Sequence, residues 1–536
     1  MFCRCCNKPT SNVVKAHHIH PRPQKLPPSG PAREALREKG QFWTPAWLAQ
    51  AMAAWVTDEK PTELFDPAVG PGTFFAAARS AGFAGKLRGF ELDRDAFADG
   101  AKLGLHPADF SGVSVADFLQ APSREHFPAI ISNPPYIRHH RLGEERKAEL
   151  KEYARKTLGF PLDGRTGLQA YFLFKCLSLL APDGRLAFLL PADVCEGMSS
   201  RHLWEWIGTH YRIEAVLTFA EAAAPFPQVD TNAMVFLISR NPPAPSLLWC
   251  RVERPDRDAI LDAVRSGVRY GKKDGAVNVL RRETAEAIAT GLSRPPAPPS
   301  QDGLPLSRFA RVMRGIATGD NDFFFLTSEQ IRAAHFPERY FRRAIGRTRD
   351  CPGSVISHED LEALDATGRP TWLLNLGSEP VESLPAPLRA HLENGESEGT
   401  PQRALIATRR PWYRMEQRTP PPLLFAYLGR RDCRFILNRA DVVPLTGFLC
   451  VYPHDAAKAA SERLWRALNH PLTLANLSYV AKSYGSGALK VEPRQLEHLK
   501  IPFSIVDEFR LLPLKTADQL VLLETPAKPK RRNHTA

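Results

Sequence analysis

The sequence predicts an open α/β sheet of seven strands, followed by a second part built on a different plan. Between residues 31 and 245, seven short apolar, β-type runs alternate with helical segments. The first four runs close in succession on an acid or amide, and proline-rich stretches set this region apart from its flanks. In chain order the runs are TELFD, KLRGFEL, GVSVAD, PAIISN, RLAFLLP, RIEAVLTF and AMVFLIS. Asp66, Glu91 (before Leu92), Asp117 and Asn133 end the first four. Ligands of such sheets bind outside the carboxyl ends of the strands, so these four side chains are expected to share one crevice.

Proline-rich segments at 21–31, 241–246 and 293–305 read as linkers. The expected organisation is a Cys/His-rich leader at 1–30, the α/β domain at 31–245, a connecting region at 246–305, a second domain at 306–520 and a basic, disordered tail at 521–536. The formal charge of +13 favours a polyanionic partner, nucleic acid before anionic membrane. No run approaches the roughly 18 to 20 apolar residues that span a bilayer, and the Met1 end lacks the apolar core of a secretory signal. A cytoplasmic protein without a membrane partner, acting as a monomer, is therefore expected. Nine cysteines in 536 residues are too sparse for a disulfide framework.

Three signals point to a ligand in the first domain. Asp66-Pro67-Ala68-Val69-Gly70-Pro71-Gly72 runs from the first strand through a glycine turn into an Ala-rich helix, and such a turn lets backbone approach a ligand closely. Glu91 follows at a spacing suited to ribose hydroxyls. Asp117, with Phe118 beside it, closes the third strand, where it could accept the amino group of a nucleoside. A nucleotide phosphate fits poorly, since no Gly-Lys-Ser/Thr is present and Asp66 would repel it. S-adenosylmethionine, with a sulfonium, an amino group and ribose hydroxyls, suits a crevice ringed by carboxylates.

The most specific string is Asn133-Pro134-Pro135-Tyr136, which chance would produce in about one of 500 chains of this length and composition. The amino group of adenine is a poor nucleophile, because its lone pair is delocalised into the ring. The Asn133 side-chain oxygen and the Pro134 carbonyl can both accept hydrogen bonds from it, favouring a pyramidal nitrogen. Tyr136 can stack on the ring, while the two prolines stiffen the turn and add no competing N–H.

These residues resemble the gamma-class, Taq-type N6-adenine DNA methyltransferases over roughly residues 38 to 240. The resemblance implies a seven-stranded, mostly parallel S-adenosylmethionine-dependent methyltransferase sheet followed by a mixed α+β target-recognition domain. It places Thr44 and Pro45 of Gly40-Gln41-Phe42-Trp43-Thr44-Pro45 before the first strand, with Thr44 facing the methionine carboxylate. It makes Asp66, Pro67, Ala68, Gly70 and Gly72 the methionine motif, Glu91 the ribose acid, and Asp117 with Phe118 the adenine-amino contact. Phe172 resembles the aromatic laid on the cofactor's adenine, and Phe226 the one that holds a flipped target base beside Tyr136. Val69-Gly70-Pro71 departs from the family's usual Cys or Ala, then Gly, then Ser, and costs one backbone donor.

Arg311–Phe324 resembles the opening of target-recognition domains attached to these enzymes. For double-stranded DNA the expected contacts are Arg138, His139 and Arg141, directly after the tetrapeptide, and Arg409, Arg410, Trp412 and Lys490 in the second domain. A separate restriction endonuclease would accompany such an enzyme. At the other end, Cys3, Cys6, His17 and His20 have the makings of a structural zinc site. Other readings remain open: methylation of protein glutamine, whose amide poses the same activation problem, methylation of RNA adenine, and a catalytically silent DNA-binding subunit.

Overall fold

Successive residues of the apolar runs point to opposite faces of a sheet, and here both faces are covered. Phe65, Ile130, Leu186, Phe188 and Phe236 enter one core, while Leu64, Ala129, Ile131, Ala187 and Val235 enter the other. This computed structural model describes residues 42–122, 125–195, 198–226, 232–266, 275–296, 302–426, 433–483 and 489–514. Two compact units part between Ser293 and Arg294.

The first unit holds β1 (Glu63–Asp66), β2 (Lys86–Glu91), β3 (Val113–Val115), β4 (Phe127–Ser132), β5 (Leu180–Pro191), β6 (Arg212–Phe219), β7 (Ala233–Ser239), β8 (Ser246–Val252) and β9 (Val277–Glu283). Their order is β3-β2-β1-β4-β5-β7-β6-β8-β9. Pairing is parallel except at β7, antiparallel to β5 and β6, and at β9, antiparallel to β8. The helices are α1 (Ala46–Val56), α2 (Thr73–Ser80), α3 (Glu144–Leu158), α4 (Leu168–Ser178), α5 (Met198–His210), α6 (Arg257–Ser266) and α7 (Thr284–Thr290). α1, α2 and α6 bury residues in one core, and α3, α4 and α5 in the other. From β1 the chain winds outward through β2 and β3, then returns to β4 on the other side of β1. That reversal opens a crevice at the carboxyl ends of β1 and β4.

The sheet therefore has nine strands where seven were expected. The two additional strands come from 246–305, a region expected to be connection. Pro242, Pro243 and Pro245 lie in a short turn between β7 and β8, so prolines that suggested a linker only prevent strand continuation. β9 escaped notice because it is an edge strand that ends in Arg281, Arg282 and Glu283 and lacks a continuous apolar run.

The second unit is mixed α+β. Its five-stranded sheet is ordered Ala310–Arg314, Phe448–Pro453, Leu423–Ala426, Arg434–Asn438 and Val355–Ile356. A four-stranded sheet is ordered Phe325–Leu326, Trp372–Leu374, Phe341–Ile345 and Val443–Pro444. Phe425, Phe435, Leu449 and Val451 anchor one core, and Phe324, Phe341 and Leu373 another.

Candidate active site

The turn after β1 is organised by the carboxylate that ends the strand. Asp66 is only 1% exposed. Its Oδ1 accepts from the Ala68 amide at 3.0 Å and the Ser132 hydroxyl at 2.9 Å, which ties β1 to β4. Its Oδ2 is buried without a partner. Burial, opposed by those two hydrogen bonds, pushes its pKa from 3.8 up to about 7, and the Glu91 charge adds in the same direction. Gly72, at φ +86°, begins α2, and a Cβ there would lie 2.5 Å from Leu105 and 2.9 Å from Phe110. The chain thus makes this turn only with glycine at 72.

Glu91 faces the same turn from β2. One carboxylate oxygen accepts from the Gly70 amide at 2.7 Å, and the other accepts from the Leu92 and Asp93 amides at 2.9 Å each. The side chain is fixed by three backbone donors, and the oxygen that accepts from Gly70 retains capacity for a ligand hydroxyl. Beside it Leu92 is 73% exposed. An apolar side chain so exposed at the lip of a crevice suits the face of an aromatic ring.

Asn133 follows β4. Its Nδ2 donates to the Phe42 carbonyl at 2.7 Å and to the Thr44 hydroxyl at 3.2 Å. A carbonyl can only accept, so the amide nitrogen is held on that side and the oxygen is turned the other way. That Oδ1 is buried and unpartnered. Pro134 is buried, and its carbonyl takes no backbone hydrogen bond among the described residues. Two acceptors thus stand without protein donors at the head of the strand next to Asp66. The Tyr136 hydroxyl is likewise buried without a partner, and burial holds its pKa well above 10. Pro45 precedes α1, its carbonyl accepting from the Leu48 and Ala49 amides, and so delivers Thr44 and Phe42 to this site.

Tyr136 and Phe226 come together as expected, but not as a parallel slot. Their rings meet edge-on, centroids 6.5 Å apart and planes at 80°. Phe42 completes a trio, 5.8 Å from Tyr136 and 5.5 Å from Phe226. Phe42 was missed as a site residue, although it lies two positions before Thr44 in the segment that carried the resemblance.

At the end of β3 the structure differs more. Asp117 Oδ2 is ion-paired with Arg146 at 2.6 Å, and Oδ1 accepts from the Leu119 amide at 2.8 Å. The carboxylate expected to meet a nucleoside amino group is thus engaged by α3 and by its own turn. Phe118 and Phe172 are buried with ring centroids 5.4 Å apart, and Lys175 donates to the carbonyls of Phe118 and Ala121 at 2.5 and 2.7 Å. Burial lowers the Lys175 pKa, and the ammonium fastens the 118–121 turn to α4.

Of the residues expected to meet DNA, Arg138 is exposed, as is Arg141, on the segment leaving Tyr136. In the second unit two of the expected residues have partners within the unit. Arg409 donates to the Ala317 and Thr318 carbonyls at 2.8 and 2.7 Å and lies over the Phe324 ring. Trp412 donates to Glu396 at 2.9 Å and packs 5.5 Å from Phe323. Both brace this unit, while Arg409 Nη1 is buried without a partner. Arg410 and Arg414 are exposed on the same segment. Lys490 lies on the short strand Leu489–Lys490, with its side chain outside the described set. Cys3, Cys6, His17 and His20 lie outside the described residues, among which no group of three His, Cys, Asp or Glu could hold a metal ion. Nor is any described helix long and apolar enough to cross a membrane.

A sheet of this order, with an acid-lined crevice at its switch point and an Asn-Pro-Pro-Tyr turn closing it, defines the fold of an S-adenosylmethionine-dependent methyltransferase, here followed by an α+β unit. Residues 94–226 match the family described as Eco57I restriction-modification methylase, and residues 299–523 match the C-terminal domain of the Type II methyltransferase M.Eco57I. The chain thus resembles restriction-modification methylases in two successive segments, one in each unit. It is 24% identical to the Type II methyltransferase M.AccI of Acinetobacter calcoaceticus, over 91% of this chain and 89% of that one. To M.XamI of Xanthomonas campestris pv. amaranthicola it is 27% identical, over 86% and 85%. Among solved structures, the Type IIL restriction-modification enzyme MmeI in complex with DNA aligns with a TM-score of 0.51 at 12% identity, over 91% of this chain and 74% of that chain.

Proposed function

We propose that the protein methylates the exocyclic N6 amino group of an adenine extruded from double-stranded DNA, at a sequence read by the second unit, as the modification half of a restriction-modification pair. The observation that carries this reading is the Asn133 amide, whose nitrogen is held by Phe42 and Thr44 so that its oxygen remains a buried, unused acceptor. An N–H donor on an aromatic ring is what such an acceptor suits, and Tyr136, Phe42 and Phe226 supply the aromatic surroundings.

S-adenosylmethionine, when bound, supplies an electrophilic methyl group. The residues present fit it. Asp66 Oδ2 is an unpaired carboxylate oxygen beside a glycine turn, suited to the ammonium end. Glu91, fixed by three amides, suits the ribose hydroxyls, and the exposed Leu92 suits the adenine ring. Asn133 Oδ1 and the Pro134 carbonyl accept the two hydrogens of the target amino group and draw its lone pair out of conjugation. Because these acceptors are already oriented and desolvated, little reorganisation is needed when the nitrogen attacks. Tyr136 and Phe226 must part from their edge-on contact to receive a base, with Phe42 moving alongside.

Sequencing of modified bases in DNA from cells expressing the chain tests the reading. N6-methyladenine at one short sequence is expected, and Asn133→Ala should lower methylation by about 100-fold or more. Modified cytosine, unmodified DNA, or undiminished methylation by Asn133→Ala would each refute it.

A further inference from the structure

A further polar side chain is buried beside the crevice. Gln169 lies in the first turn of α4 and is 3% exposed, yet its Oε1 has no hydrogen-bond partner. It is one of four side chains around the crevice, with Asp66, Asn133 and Tyr136, that bury an unpartnered polar atom. In a helix otherwise composed of Leu, Ala, Tyr, Phe and Cys up to Lys175 and Ser178, a buried amide with an empty acceptor costs free energy unless something donates to it.

Its placement says where that donor comes from. α4 begins at the crevice, where the Leu168 amide donates to the carbonyl of Ile137, one residue past Tyr136. It ends at the other end of the strands, where the Leu179 carbonyl accepts from the Phe127 amide at the start of β4. Helical side chains lean toward the helix N-terminus, so the Gln169 amide extends toward the crevice. It folds across Gly167, where a Cβ would lie 2.6 Å from its nitrogen and 2.7 Å from its oxygen, so a side chain at 167 would displace it. One turn further along α4, on the same face, Phe172 packs on Phe118 at the end of β3.

We infer that Gln169 reads the exocyclic amino group of the cofactor's adenine, its Oε1 accepting the amino hydrogen. This rests on S-adenosylmethionine being the cofactor. The other acceptor at this end of the crevice, Asp117, is oriented by Arg146 on one oxygen and the Leu119 amide on the other, whereas Gln169 Oε1 has no donor at all. Gln169 is the neutral acceptor with an open valence beside the aromatic pair, and an amide is the group that pairs with an adenine edge.

The test is calorimetric binding of S-adenosylhomocysteine, and of its analogue with purine in place of adenine, to the full chain and to Gln169→Leu and Asp117→Asn. Wild type should bind the adenine compound about 10-fold more tightly than the purine analogue, the worth of one buried hydrogen bond. Gln169→Leu should lose that preference, while Asp117→Asn should keep it. Melting temperature separates this from a structural role: removing an orphaned acceptor should leave ligand-free Gln169→Leu at least as stable as wild type. A Gln169→Leu protein that retains the preference, or a preference abolished by Asp117→Asn alone, overturns the inference. Failure of wild type to bind either compound overturns the cofactor reading and the inference together.

Discussion

Asp66→Asn should make the ligand-free protein more stable at alkaline pH and a poorer binder of its cofactor. The carboxyl has a pKa of about 7 in the folded protein against an ordinary 3.8, because burial outweighs its hydrogen bonds from Ala68 and Ser132. Below pH 3.8 the group is protonated folded or unfolded and contributes nothing to pH dependence. Between 3.8 and about 7 the unfolded chain releases the proton while the folded chain keeps it, so stability falls by about 1.4 kcal/mol per pH unit. Above 7 both states are ionised and the full deficit, about 4 kcal/mol, persists.

The substitution retains an oxygen to accept from Ala68 and Ser132 and removes the titration. Differential scanning calorimetry of the ligand-free proteins at pH 4 and pH 8 reads the effect, other carboxylates cancelling in the difference. The melting difference, Asp66→Asn minus wild type, should rise by about 8 to 16 °C over that interval, at the 2 to 4 °C per kcal/mol expected for a unit of this size. Affinity for S-adenosylhomocysteine should fall in the same variant, since the ligand's ammonium loses its counter-charge. A melting difference independent of pH would refute the assignment of a buried, protonated Asp66.

Phe226→Ala should weaken binding of the extruded base by about 1 to 3 kcal/mol, which a 2-aminopurine probe at the target position reports. Unchanged probe fluorescence would remove Phe226 from the base pocket. Arg410→Ala combined with Arg414→Ala should lower the salt dependence of DNA binding by about one counterion per lost phosphate contact. Arg409→Ala should instead lower the melting temperature, since its partners are carbonyls of its own unit. Any zinc that elemental analysis finds in the full chain should be lost on deletion of residues 1–30 without loss of methylation, and loss of methylation on that deletion would refute a purely structural role.

What the sequence made legible follows from how locally each feature is encoded. β1, β4 and β7 stand out because each is a largely apolar run, buried nearly throughout, between turn residues. β9, half exposed, carries arginines and a glutamate and reads as surface. Asp66, Glu91 and Asn133 were legible because a strand end fixes where a side chain goes. The partner of Asp117 was not, because Arg146 arrives 29 residues later on a helix whose placement no local pattern encodes. Arg409 and Trp412 illustrate the same limit. A cation beside aromatics is the pattern of a nucleic-acid contact and equally of an internal cation–π brace, and only the Phe324 ring beneath Arg409 separates the two.

The atoms without partners connect fold to function. Each buried acceptor or hydroxyl left unpaired costs on the order of 1 to 3 kcal/mol, so the group formed by Asp66, Asn133, Tyr136 and Gln169 is expensive for one crevice. The fold sustains that cost because large cores on both sides of the sheet hold the strand ends and α4 in place. The rings of Phe42, Tyr136 and Phe226 pack together, and the Phe42 carbonyl holds the Asn133 amide. Acceptors already stripped of water and aimed at one region need not reorganise when a donor arrives, and this is where a methyl-transfer site gains rate. The same reasoning makes the ligand-free first unit the weak state: cofactor and base, supplying the missing donors, should raise its stability together by more than either does alone.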